Sequence, residues 1–169
     1  MADRVVIDTN IIISALVFGG EPEKLIEKII QENIKVFTSV QLIAELVDVL
    51  RKKFVFSEDK IKILENEIID KFEIVYPRIE ITVCRDNADN RVLEAGIEGK
   101  CNFIITAFKK TTGDKPVDEL NADMSSSFRR IPRQNGGEDV ITGDKDLLVL
   151  KKYKNIKIMS ATEFLNKFY

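Results

Sequence analysis

Apolar positions along this chain fall into two alternating rhythms. Short runs at Arg4-Val-Val-Ile7, Lys35-Val-Phe-Thr38, Ile79–Val83, Asn102-Phe-Ile-Ile-Thr106 and Ile156–Met159 read as strands. Between them the spacing turns helical. Ile11–Leu16 opens a helical turn. Pro22 suits a first helical turn, with Leu25, Ile26, Ile29 and Ile30 on one face. Ser39 reads as the N-cap of a helix over Val40–Lys53, whose apolar stripe is Leu42, Ile43, Leu46, Val47 and Leu50. A further helix is predicted over Ser57–Phe72, with Ile61, Leu64, Ile68 and Phe72 on one side. Asp86 is placed to cap Ala88–Glu98, and Val92, Leu93 and Ile97 face inward. Leu147–Leu150 is helical, and Ser160 caps a last helix through Phe164, Leu165 and Phe168. Strands alternating with helices predict an α/β domain with a largely parallel sheet and right-handed crossovers. In such sheets ligands gather at the carboxyl ends of the strands.

One stretch breaks the rhythm. Residues 107–139 are polar, irregular and rich in Gly, Ser, Asp and Arg, which is unusual inside a compact domain. Their flanks resemble each other: Phe103-Ile-Ile-Thr106 before, Val140-Ile-Thr142 after. Joining Thr106 directly to Gly143 restores a continuous strand, turn and helix. The chain therefore reads as a single domain, 1–169, with an insertion at 107–139.

Composition narrows the chemistry. Among 169 residues there is no histidine. That excludes Ser-His-Asp and Cys-His catalysis and any histidine-ligated zinc site. Carboxylates remain as the obvious tools, and they bind hard divalent cations through oxygen. Cys84 and Cys101 stand apart, in no metal-ligand spacing, which suits a reducing cytoplasm. No apolar run reaches the roughly 18 residues that span a bilayer, and the N-terminus lacks a secretory pattern, so no membrane association is expected. The first 99 residues carry 13 Lys and Arg against 19 Asp and Glu, whereas the remaining 70 carry 13 against 9. This split leaves room for a basic surface beside an acidic pocket, or for scatter among solvated charges.

Singly, each acid has an ordinary explanation. Asp8 suits a helix cap after the first strand, Asp86, Asp89, Asp144 and Asp146 suit helix starts, and Glu45 shares a polar stripe with Gln41, Asp48 and Lys52. Jointly they are harder to dismiss. Asp8 and Asp144 both follow strands, Asp89 opens the helix leading to Phe103–Thr106, and Glu45 lies early in a helix entered from the second strand. Four acids on one sheet edge repel one another, and a divalent cation relieves that repulsion.

Four segments, in order, resemble the motifs of the PIN-domain family: Val5-Val-Ile-Asp-Thr-Asn10, Leu42-Ile-Ala-Glu-Leu46, Arg85-Asp-Asn-Ala-Asp-Asn-Arg-Val-Leu-Glu94 and Thr142-Gly-Asp-Lys-Asp-Leu-Leu148. The likeness extends to the VapC-like toxins of toxin–antitoxin pairs and covers nearly all the chain outside 107–139. It implies a three-layer α/β/α, Rossmann-like fold with a mainly parallel sheet. It also implies a Mg²⁺- or Mn²⁺-dependent endoribonuclease acting on single-stranded RNA. Asp8, Glu45, Asp89 and Asp144 match the family's acidic quartet, and Asp146 and Asp86 match further acids nearby. Asn10 and Thr142 match polar residues that support the first aspartate. Arg85, Arg91 and Lys145, with Arg129, Arg130 and Arg133 of the insertion, are candidates to hold RNA phosphates. The resemblance further implies a homodimer and a small antitoxin that plugs the site. Asp86-Asn87 departs from the Asp-Pro common in close relatives. The insertion departs more seriously, because it enters beside Asp144. Two other readings stay open: a PIN-fold binding protein whose activity the insertion has impaired, and a haloacid-dehalogenase-type phosphatase. The latter normally carries a second Asp where this chain has Asn10.

Overall fold

The computed structural model describes residues 3–106 and 145–167, with the backbone alone at 145 and 146. The elements run β1 (Arg4–Ile7), α1 (Thr9–Val17), α2 (Glu21–Gln31), β2 (Lys35–Ser39), α3 (Val40–Lys53), α4 (Glu58–Lys71), β3 (Glu73–Val75), α5 (Asn87–Glu98), β4 (Phe103–Thr106), α6 (Lys145–Leu150), β5 (Lys152–Tyr153), β6 (Ile156–Ser160) and α7 (Ala161–Lys167). The strands form one sheet in the order β3-β2-β1-β4-β6-β5. All pairings are parallel except β5 with β6.

The pleat of β1 sorts the core. Val5 lies beside Val36 and Phe103, and Val6 beside Phe37 and Ile104. Successive side chains of a strand point to opposite faces. Val5 and Ile7 accordingly join one apolar cluster, with Ile11–Ile13 of α1, Leu25 and Ile29 of α2, Leu46 and Leu50 of α3, Leu64 and Ile68 of α4, and Phe164 of α7. Val6 joins the other, with Val92 and Leu93 of α5, Leu147 of α6, and Ile156 and Ile158 of β6. The result is a three-layer α/β/α fold with a mostly parallel central sheet, as expected. Leu42, near the start of α3, belongs to the second cluster while Leu46 and Leu50 belong to the first. The amino end of α3 thus reaches over the carboxyl edge of the sheet. No helix of the described residues is long and apolar enough to cross a membrane.

The helix starts are set locally. Ser39 Oγ accepts from the Leu42 amide at 3.3 Å, and Asp86 Oδ1 accepts from the Ala88 amide at 2.9 Å. Ser160 and Glu163 form a reciprocal capping box. The Ser160 amide donates to Glu163 Oε2 at 2.8 Å, and the Glu163 amide donates to Ser160 Oγ at 3.2 Å.

The expected strand over Ile79–Val83 is not one. The third strand is Glu73–Val75, and residues 76–86 adopt no regular structure. Their backbone is held by side chains of α5. The Ile81 amide donates to Glu94 Oε1 at 2.8 Å. The Cys84 amide donates to Asn90 Oδ1 at 2.8 Å, and Asn90 Nδ2 returns a bond to the Cys84 carbonyl at 2.9 Å. Asn90 and Glu94, one helical turn apart, supply the partners that a neighbouring strand would otherwise give. Ile81 is still buried in the second cluster, which explains its apolar character.

Gly99, at the end of α5, illustrates how closely this layer sits on β2. A Cβ there would lie 2.9 Å from Cys101 Sγ and 3.0 Å from two ring atoms of Phe37. The Gly99 carbonyl also accepts Arg4 Nε and Nη2, at 2.9 and 2.6 Å, while Arg4 stacks on the Phe37 ring at 4.3 Å. The Phe37 ring, buried and stacked, has little room to yield. Gly99→Ala should therefore destabilise the protein by about 1–3 kcal/mol, seen as a lowered midpoint in urea with an unchanged slope. A stability equal to wild type would contradict this packing.

Candidate active site at the carboxyl edge of the sheet

Asp8 is the first residue beyond β1. Its amide donates to the Ile105 carbonyl at 2.9 Å, which extends the β1–β4 pairing by one step. Its carboxylate is oriented on both oxygens. Oδ1 accepts from the Asn10 amide at 3.0 Å, capping α1, and Oδ2 accepts from Thr106 Oγ1 at 2.6 Å. Asp8 is 5% exposed. A carboxylate this buried costs several kcal/mol unless its charge is answered. The α1 N-terminus and the Thr106 hydroxyl are two of the groups that answer it.

Asp89 is the third residue of α5 and is also 5% exposed. The crossover from β3 to β4 runs through α5, so its amino end lies at the carboxyl edge where Asp8 sits. Asp86, the N-cap of α5, and Arg85 before it are exposed. Glu45 is the sixth residue of α3 and Arg91 the fifth of α5. The Arg91 Nη1 donates to Glu45 Oε1. A residue expected to bind metal and one expected to bind RNA are therefore paired with each other.

Other expected members lie outside the described residues: Thr142, Asp144, Arg129, Arg130 and Arg133. Of Lys145 and Asp146 only the backbone is described, in the first turn of α6. Among the described residues no three His, Cys, Asp or Glu side chains come together as a metal cage. Asp8, Glu45 and Asp89 do not form one by themselves. Asn10 supports Asp8, but through its main-chain amide.

Thr106 is the site residue that sequence reasoning missed. Thr106 at the end of β4 bonds Asp8, while Thr142, expected to support the same aspartate, lies outside the described residues. The signal was present in the duplicated flanks, since Ile-Ile-Thr106 and Val-Ile-Thr142 are equivalent as words. The cysteines take no part in this chemistry. Cys101 is buried beneath α5, and burial pushes its thiol up to about 12, offset slightly by Arg4.

A profile of the PIN domain matches residues 4–109, a span holding Asp8, Glu45, Asp89 and Thr106. An uncharacterized protein of Methanocaldococcus jannaschii is 31% identical over 122 residues, covering 69% of this chain and 74% of its own. The chain belongs to the PIN domain family. PIN domains are generally nucleases, which typically use divalent metals.

The Asp8–Thr106 bond can be tested on its own. Thr106→Val removes the donor and leaves a buried carboxylate oxygen without it, a loss of about 1–3 kcal/mol in unfolding free energy at neutral pH. Thr106→Ser keeps the hydroxyl and loses one methyl, about 1 kcal/mol. A Thr106→Val variant as stable as wild type would show that the hydroxyl contributes nothing.

Proposed function

We propose that this protein is a metal-dependent endoribonuclease that cleaves single-stranded RNA, of the kind found as the toxin of VapC-like toxin–antitoxin pairs. Its catalytic acids are Asp8, Glu45, Asp89 and Asp144, with Asp146 as a further metal ligand and Mg²⁺ or Mn²⁺ as cofactor. The observation that carries this reading is the buried Asp8 carboxylate, aimed by neutral donors at the carboxyl edge beside the start of α5. The donor set fits a hard cation, since it consists of carboxylate oxygens in a chain with no histidine. When bound, the cation supplies Lewis-acid activation of water and offsets charge at the phosphate.

The chain's own residues then have distinct tasks. Thr106 and the Asn10 amide hold Asp8 in one rotamer, so a ligand meets a fixed carboxylate. Asp86 caps α5 and so fixes the helix turn that presents Asp89. Arg85 and Lys145, at the openings of α5 and α6, hold backbone phosphates of the RNA.

The topology supports an insertion within a single domain. β4 and β6 are parallel neighbours, and α6 is the crossover between them. With residues 107–139 regarded as inserted, the sequence runs from Thr106 at the end of β4 to Gly143-Asp144 immediately before α6. The family match ends at residue 109, within this irregular stretch. A homodimer and a small antitoxin covering the acidic edge complete the proposal. A second reading, a PIN-fold binding protein with impaired cleavage, draws on the pairing of Glu45 with Arg91.

The experiment is incubation of the full chain with single-stranded RNA in Mg²⁺ or Mn²⁺, with EDTA and with Asp8→Asn as controls. Cleavage should require the metal and fall by roughly 10²-fold or more in the variant, as for loss of a group that stabilises developing charge. Cleavage that persists in EDTA, or an undiminished Asp8→Asn, would sink the nuclease mechanism. A chain joining Thr106 to Gly143 should keep the wild-type circular dichroism and cleave at least as fast. Its failure to fold would remove the insertion reading.

A further inference from the structure

The Glu45–Arg91 pair differs from the other ion pairs between described residues. Lys24–Glu21, Lys28–Glu32 and Lys52–Asp48 lie within single helices. Lys35–Glu73 joins adjacent strands, Arg51–Glu58 joins consecutive helices, and Lys167–Asp3 ties the chain ends. Glu45–Arg91 joins α3 to α5, 46 residues apart, and so links the two helical layers across the carboxyl edge of the sheet. Its acid is also the most shielded of these, with the Glu45 side chain 23% exposed against 42% for Arg91. Both helices run away from the same edge, and both residues lie about 8 Å along them. The guanidinium therefore reaches the inner carboxylate from a position half open to solvent.

This geometry makes the pair exchangeable. The inner member is an acid of α3 on the sheet edge at which Asp8 and the start of α5 also lie. The outer member is a long, half-solvated cation on a flexible stem. A partly exposed pair is worth little in free energy, so a stronger ligand for Glu45 can displace it at small cost.

We propose that Arg91 is an internal counter-ion of the site. It holds Glu45 when no cation is present, yields that carboxylate to a divalent cation, and is then released at the mouth of the site, where it contacts a phosphate of single-stranded RNA. The inference rests on the nuclease reading and deepens it. Arg91 becomes a positioning residue that couples cation loading to RNA binding. It also reconciles the two roles expected of the paired residues, since each partner acts when the other is let go.

The measurement is Mn²⁺ binding by calorimetry and by the electron-spin signal of unbound Mn²⁺, on the full chain, for wild type, Arg91→Met, Arg91→Lys and Glu45→Gln. A competitor removed should tighten binding, so Arg91→Met is expected to bind Mn²⁺ roughly two- to five-fold more tightly than wild type. Glu45→Gln should bind more weakly. Arg91→Lys keeps the charge and guards against a folding failure. It loses the planar fork and should shift in the same direction by less. In parallel, an uncleavable single-stranded oligonucleotide should bind wild type more tightly with Mn²⁺ than without, and this gain should shrink in Arg91→Met. Mn²⁺ affinity in Arg91→Met that equals or falls below wild type overturns the exchange while leaving the nuclease reading intact. Wild type that binds Mn²⁺ no better than Glu45→Gln and Asp8→Asn overturns both.

Discussion

Everything at this edge depends on the hydrogen bond from Thr106 to Asp8. It joins the ends of two central strands, and it can form because β1 and β4 are parallel and in register, with Ile7 beside Ile105. Parallel pairing brings both carboxyl ends to one side. The Asp8 amide bond to Ile105 then carries the pairing one residue past the sheet, where the side chain turns into the helix cap. The same carboxylate thus closes the strand, starts α1 and faces the site. Such economy has a physical consequence. The acid cannot move without loosening the strand pair or the helix, so the fold supplies the rigidity that a metal ligand or a catalytic acid requires.

Two helices extend this edge from opposite layers. α3 crosses over it, as its split allegiance between the apolar clusters shows, with Leu42 on one side and Leu46 and Leu50 on the other. α5 arrives with its amino end there because it returns the chain from the outer strand β3 to the central strand β4. Acids in the first turns of helices that begin at a carboxyl edge are favoured by the helix field even without a ligand. This is why capping and chemistry are hard to separate at Asp8, Asp86 and Asp89. Burial separates them in part. Asp86 is an exposed cap, whereas Asp8 and Asp89 are buried to a degree that helix stability alone does not call for.

What could be read from the chain was what depends on near neighbours. Ser39, Asp86 and Ser160 mark their helices because a cap is decided within three or four residues. Alternating runs revealed the layered fold because period and length are local too. Ile79–Val83 misled because Ile81 alone of its apolar residues is buried, while the Ile81 amide is answered by Glu94, 13 positions away, and the adjoining Cys84 by Asn90, 6 positions away. Lys152–Tyr153 is too short to carry a pattern and becomes a strand only by pairing with Ile156–Ser160. At this edge, the position of Asp8 was legible from its place after a strand. Its bond from Thr106 was not, since that depends on the register of β1 with β4.

The Glu45–Arg91 pair is the sharpest case of this limit. Read singly, one residue was an acid on a polar stripe and the other a surface cation, and nothing in the sequence connects two positions 46 residues apart. Tertiary structure does so by bringing the amino-terminal turns of α3 and α5, from opposite layers, together across the carboxyl edge. Once joined, the two constrain each other's chemistry. Glu45 is the shielded member, and a half-solvated guanidinium is a partner that can be replaced. Under the proposed exchange, an acid that carries its own removable counter-ion would avoid the electrostatic cost of standing unpaired.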